Sequence, residues 1–374
     1  MQRTAGSSEL LLALCGDVMT GRGIDQVLPH PSDPRLHESY VSSALDYVGL
    51  AERRNGAIAR PVRFDYVWGD VLATLDRARP DVRIVNLETG ITRSDDYEEK
   101  GINYRMSPEN APCLAAAHVD CCVLANNHVL DWGRAGLADT LDSLAALRIK
   151  VAGAGRTADQ ARAPAILEVA GKGRVIVFGF GATTSGISRS WRAAETASGI
   201  DLLPDLSERT VAAIADRVRQ VKRPGDVVVA SIHWGANWGY DIGRAERRFA
   251  QGLIDAASVD VVHGHSSHHP RAVELHAGKP IFYGCGDFLN DYEGIGGYEE
   301  FRGDLALLYL VGFRMPGAAL TRVEALPFKI RRFRLERASG TDAAWLRDTL
   351  DREGGRVGTR VALAAENVLS FQPA

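Results

Sequence analysis

Leu11-Leu12-Ala13-Leu14-Cys15-Gly16-Asp17 is an apolar, strand-like run that stops abruptly at a carboxylate. The same figure recurs along the chain. Ile84-Val85 runs into Asn86-Leu87-Glu88, and Cys122-Val123-Leu124-Ala125 into Asn126-Asn127-His128. Further on, Val227-Val228-Val229-Ala230-Ser231-Ile232 meets His233, Val261-Val262 meets His263-Gly264-His265, and Ile281-Phe282-Tyr283 meets Gly284-Cys285-Gly286-Asp287. Short apolar runs bounded by turn residues read as buried strands, and α/β proteins build their sites at one edge of such a sheet. A single polar tip is an ordinary turn. Six of them, each ending in a residue able to bind a metal, point to one shared site.

Between the runs lie stretches with apolar residues at three- and four-residue spacing, predicting helices over about 68–79, 134–147, 207–222 and 244–258. The fold class is therefore α/β, with helices covering the sheet. From residue 25 to 66 the alternation breaks into Pro- and charge-rich sequence around a helical piece near 39–53, read as a surface insertion that shapes a cleft. Residues 303–313 and 326–335 read as late antiparallel strands, and 343–353 as a terminal helix. No linker composition divides the chain. The expected organisation is one domain over 9–338, with 339–374 as a C-terminal helical extension packed on it.

The chain has 374 residues, 45% of them hydrophobic and 24% charged, enough to bury a large core. A net charge of -3 and the absence of a dense Lys/Arg block give no reason to expect nucleic acid or an anionic membrane as partner; a small or peptide ligand fits better. Five cysteines without regular spacing suggest buried thiols in a reducing compartment. The apolar stretch near the N-terminus is too short for a secretory h-region, and no later stretch is long enough to span a bilayer. The cytoplasm is the expected location.

The tip residues divide by chemistry. Asp17, Glu88 and Asn127 offer oxygen, suited to hard cations, whereas His128, His233, His265 and His268 offer imidazole for softer divalent ions or for proton transfer. Within Asn126-Asn127-His128-Val129-Leu130-Asp131, an Asp three residues after a His can orient the imidazole, so His128 and Asp131 form a candidate acid–base pair. Of the four imidazoles in His263-Gly264-His265-Ser266-Ser267-His268-His269, His265 and His268 are the functional candidates and His263 and His269 the structural ones. Arg22 and Arg105 are candidate anchors for a substrate carboxylate, and Trp234 and Trp238 for a large side chain. The Gly-rich segment at 16–23 has neither dinucleotide spacing nor a P-loop lysine, and no nucleophile elbow is present.

Taken together, Gly16-Asp17-Val18-Met19, Asn86-Leu87-Glu88, Ala125-Asn126-Asn127-His128, Ile232-His233-Trp234-Gly235, Gly264-His265 with His268, and Gly286-Asp287-Phe288 resemble the CapA-like family. That family is named for poly-γ-glutamate capsule biosynthesis and lies within the calcineurin-like metallophosphoesterase superfamily. The resemblance implies a four-layer α/β/β/α sandwich with a metal site at strand ends. It places Asp17, Glu88, Asn127, His233 and His265 at metal positions and His128 at the substrate-facing position.

Two departures matter. Met19 stands where the superfamily's first motif has a His, and Glu88 stands where the second motif supplies a bridging Asp. With one ligand lost, a single oxygen-rich site is expected, for which Ca²⁺ is favoured and Mn²⁺, Mg²⁺ or Zn²⁺ also serve. Soluble members of the family include a peptide epimerase of lasso-peptide biosynthesis, which sets the first functional expectation: metal-dependent epimerisation at the Cα of a C-terminal residue of a peptide substrate, using His128 with Asp131 on one face and His265 or His268 on the other. The alternative is a metallophosphoesterase or a hydrolase processing poly-γ-glutamate. A third class is a binding protein of the capsule machinery with a vestigial site.

Overall fold

The structure is a computed structural model and describes residues 8–374. The opening run becomes the long strand Ser8–Val18, at the centre of a ten-stranded sheet. On one side it pairs antiparallel with Leu305–Met315, and on the other it pairs parallel with Val82–Leu87, followed by Cys121–Val123 and Lys150–Ala152. The second sheet has six strands. Its centre, Val227–His233, lies parallel to both Gly173–Gly181 and Val261–His265.

Strand alternation explains how the two sheets stack. Leu10, Leu12 and Leu14 share one buried core with Val227 and Val229 of the other sheet, whereas Leu11, Ala13 and Cys15 face a core built with Val71, Leu75, Leu137 and Leu144 of the helices Asp70–Ala78 and Gly133–Ala146. On the far side, Val228, Ala230 and Ile232 pack against Val211, Ile214 and Val218 of helix Glu208–Val221 and Phe249 and Leu253 of helix Arg244–Asp255. The order is helix, sheet, sheet, helix, as the resemblance implies. The five cysteines are all buried and unpaired.

The late strands run further than their patterns suggest. Ala319–Arg331 turns at Arg332 and Phe333 into Arg334–Arg337, so the apparent single run at 326–335 is a hairpin. The C-terminal segment is helical only over Gly340–Gly355. Beyond it, Thr359–Leu363 and Leu369–Pro373 pair with each other, and the latter joins Ala319–Arg331, extending the large sheet. The segment at 25–66 carries helix Ala44–Asn55, started by Ser43 capping the Leu45 N–H. It is more than a surface cover: Val27, Leu28, Val48, Ala51 and Ile58 enter the helix-side core of the large sheet. No helix among the described residues is long and apolar enough to cross a membrane.

Candidate metal centre

Parallel register brings the tips together. Asp17 stands beside Asn86 on one neighbouring strand and Asp287 on the other, and His233 stands beside His265 across the second sheet. The chain can pass so closely at the first tip because residue 16 is glycine. A Cβ there would lie 1.9 Å from the carbonyl oxygen of Gly286, the oxygen that accepts the Asp17 N–H. Two donor sets result, Asp17 with His233 and His265, and Asp17 with His268 and Asp287. Asp17 belongs to both.

The hydrogen bonds fix the protons on the first set. His263 Nε2 donates to the Cys15 carbonyl at 3.0 Å, leaving its Nδ1 to accept from Ser231 Oγ at 2.9 Å. Ser231 Oγ therefore accepts from His265 Nε2, also at 2.9 Å, and the lone pair of His265 lies on Nδ1. His233 Nε2 donates to Asn127 Oδ1 at 2.9 Å, so its lone pair is likewise on Nδ1. Those two nitrogens face each other at 2.8 Å. Neighbouring ligands about 2.1 Å from one ion are themselves about 3 Å apart, so a shared cation accounts for a contact that two bare lone pairs would resist. Asp17 Oδ1 is 3.9 Å from His265 Nδ1, and Glu88 Oε2 is 3.9 Å from His233 Nδ1.

Charge makes the same demand. Burial, reinforced by the Asp287 carboxylate, pushes Asp17 up to about 7, and burial with Asp17 and Asp287 nearby pushes Glu88 well above its ordinary range. Burial also holds His233 and His265 far below theirs, as neutral ligands. Asn86 Nδ2 is shared between Asp17 at 2.7 Å and Glu88 at 3.0 Å, which positions the carboxylates without neutralising them. The residues fit a divalent cation. Asn127 Oδ1 accepts from His233 Nε2 at the edge of the first set and so orients that ring.

His128 flanks this cluster. Its Nδ1 lies 2.7 Å from Asp131 Oδ2, which also accepts the Tyr104 N–H at 2.7 Å, and its Nε2 is 3.8 Å from Glu88 Oε1. Burial brings His128 down to about 4, so Nε2 carries a lone pair at neutral pH. Lys100 completes the arrangement: its ammonium bonds Asp131 Oδ1 at 2.7 Å and the Asn127 carbonyl, and sits 3.2 Å from His128 Nδ1. The other flank repeats the pattern. His268 Nδ1 is 2.9 Å from Asp287 Oδ1, while Asn290 holds Asp287 Oδ2 at 2.8 Å. Burial opposes protonation of His268, yet Asp287 and Asp17 hold it above its ordinary value.

Between the flanks lie two tyrosines. Tyr104 stands edge-on to His128 and Tyr292 edge-on to His268, and Tyr104 donates to the Tyr292 hydroxyl at 2.9 Å. Tyr292 in turn reaches the Met19 sulfur at 3.7 Å, a weak acceptor, so its proton is available to a ligand.

Three of the expected substrate contacts fall elsewhere. Arg22 is buried, with Nε and Nη2 on Asp291 and Nη1 on Glu38, and its face lies on Tyr47; this guanidinium is consumed within the fold and is not free for a substrate carboxylate. Trp234 is fully buried against Phe249 and Tyr283, with its indole N–H on the Tyr283 carbonyl, and belongs to the core. Arg105 stacks on Trp132 and pairs with Asp95, lining a separate pocket of about 450 Å³ with His30, Arg93 and Glu109. Trp238 does reach the site, 5.3 Å from the His268 ring.

The roles of Lys100, Tyr104 and Tyr292 escape sequence reasoning because they lie in irregular segments. The place of Trp234 does have a signal in the sequence: directly after the strand Val227–His233, it shares the parity of Val228, Ala230 and Ile232, which points all four at the helices.

With this geometry in place, the family model described as bacterial capsule synthesis protein PGA_cap matches residues 11–292. The chain belongs to that family. Its matched span carries every tip described above. A probable polyglutamine synthesis accessory protein of Mycobacterium tuberculosis is 47% identical over 373 residues, covering 99% of this chain and 98% of that protein. The PGA biosynthesis protein CapA of Bacillus subtilis is 25% identical over 291 residues, covering 77% of this chain and 65% of its own length. Among solved structures, a phosphatase from Mycoplasma pneumoniae aligns at 12% identity with a TM-score of 0.44, covering 86% of this chain and 94% of the other.

Proposed function

We propose that this protein serves the synthesis of a glutamate- or glutamine-based polymer as a metal-dependent hydrolase acting on the polymer or its intermediates. The observation that carries the reading is the pair of donor sets sharing Asp17, with the lone pair of His128 Nε2 beside them. The names of the relatives, a polyglutamine synthesis accessory protein and a PGA biosynthesis protein, support polymer synthesis over peptide epimerisation.

A divalent cation bound there would polarise a carbonyl or phosphoryl oxygen and make water acidic enough to attack at neutral pH. The chain's own residues do the rest. His128 Nε2 accepts or returns a proton, Asp131 keeps the other ring nitrogen protonated, and Lys100 keeps Asp131 in place. The Tyr292 hydroxyl donates to the substrate oxygen on which charge develops. Because the first donor set contains two neutral imidazoles, Mn²⁺ or Zn²⁺ suits it better than the Ca²⁺ that an oxygen-rich site favours.

One observation supports a second reading. The pairs His128–Asp131 and His268–Asp287 flank the cluster from two sides, the arrangement that proton removal and return at a Cα requires. A single assay separates these readings. The metal-loaded protein is incubated in D₂O with a γ-linked glutamate oligomer, with p-nitrophenyl phosphate and with a short peptide, and cleavage and Cα deuterium are followed by mass spectrometry. Shortening of the oligomer, abolished by His128→Ala, is the expected result. Deuterium uptake without cleavage selects the epimerase, and turnover of the phosphate ester alone selects a phosphoesterase.

A further inference from the structure

The His268–Asp287 flank opens into a groove of about 1030 Å³ that neither donor set accounts for. Its inner end is the site itself, since Asn290 and Tyr292 line the groove while contacting Asp287 and His268. Its floor is aromatic. Trp238 and Tyr298 stack with ring centroids 4.1 Å apart and planes within 3°, and Tyr298 is still 49% exposed. Its far wall is the helix Ala44–Asn55, which contributes Arg53 and Arg54.

Charge bookkeeping along the groove is uneven. Each acidic side chain is used within the fold. Glu293 accepts the Arg332 and Phe333 N–H groups, Asp304 and Asp342 hold Arg302 and Lys329, Glu336 holds Arg331 and Arg332, and Glu299 turns back onto the Gly297 N–H. Arg53 and Arg54 are exposed and make no ion pair within 4.0 Å among the described residues, with Glu299 the acidic neighbour near enough to feel the Arg54 charge. Arg337, on the same groove, spends one guanidinium nitrogen on the Glu366 carbonyl and leaves a buried one without a partner. The unspent hydrogen-bonding capacity is therefore cationic. It lies along the approach to the metal cluster, where an anionic chain would neutralise it.

We propose that this groove is a subsite for the carboxylate-bearing flank of an extended substrate: Arg53, Arg54 and Arg337 receive its side-chain carboxylates, Trp238 and Tyr298 support its backbone, and the next linkage is delivered to His268 and the cluster. The inference rests on the polymer reading above and adds that the bound polymer is the anionic, glutamate form and not the neutral glutamine form.

The test is binding of a γ-linked glutamate octamer, the matching glutamine octamer and inorganic polyphosphate to the metal-loaded full chain, followed by calorimetry at several salt concentrations. The expected result is binding of the glutamate octamer that Arg53→Glu/Arg54→Glu weakens by at least about tenfold with a shallower salt dependence, while metal content stays unchanged. Arg53→Lys/Arg54→Lys retains most of it. Equal binding by wild type and the charge-reversed variant overturns the groove assignment and leaves the polymer reading standing. Preference for the glutamine octamer, or tighter variant-sensitive binding of polyphosphate, overturns the carboxylate class. Failure of wild type to bind any of the octamers overturns both the groove and the polymer reading.

Discussion

At the scale of single residues, the centre is a set of neutral imidazoles and buried carboxylates whose protons are dictated by their neighbours. The chain from the Cys15 carbonyl through His263, Ser231 and His265 leaves one lone pair pointing at His233, and Asn127 does the same for His233 from the opposite side. His128 differs in keeping its free nitrogen outside that contact. Replacing it by Ala is expected to lower turnover of the glutamate oligomer by about 10²–10⁴-fold with metal content unchanged, measured by steady-state kinetics beside metal analysis. Lys100→Met removes the ammonium that bonds Asp131 and the Asn127 carbonyl, and a loss of about 10–100-fold, appearing in kcat more than in KM, marks it as a positioning residue. The sequence exposes His128 and Asp131 because they share one short segment. It gives no hint of Lys100, which reaches them from an irregular loop 28 and 31 residues away, and none of the buried carboxylate that Asp291 brings to Arg22 from 269 residues away.

At the scale of elements, the strand tips were legible because burial on both faces forces near-continuous apolar runs, and a polar residue can appear only where the strand ends. The helix predicted over 244–258 forms at Arg244–Asp255, and that over 207–222 at Glu208–Val221, since both carry a clear apolar stripe. The C-terminal hairpin was not legible: Thr359–Leu363 is a short edge strand and Leu369–Pro373 a short strand beside it, and their exposed positions interrupt the apolar pattern. Register between tips depends on backbone approach more than on side chains. Gly16→Ala would drive a methyl group into the Gly286 carbonyl and separate Asp17 from Asp287, so metal affinity is expected to fall about 10–100-fold while far-ultraviolet circular dichroism is retained. Competition against a chromogenic chelator measures it.

At the scale of the whole molecule, the two sheets divide the labour. The large sheet supplies Asp17, Glu88 and Asp287, the small one supplies His233 and His265, and the cluster exists only where their ends meet. A cation held across that junction ties the two sheets together and adds stability by mass action, about 2.7 kcal/mol at a hundredfold excess over Kd. The Arg22 network with Asp291 and Glu38 braces the insertion beside the same junction, so the groove wall and the cluster share one support. The central claim is that this junction is a divalent metal centre built on Asp17. It is tested most directly by elemental analysis of purified wild type and Asp17→Asn after exchange into Mn²⁺ or Zn²⁺ and removal of free ion. The account predicts at least one tightly held equivalent per chain in wild type and almost none in a folded Asp17→Asn; no retained metal in wild type, or equal retention by the variant, would contradict it.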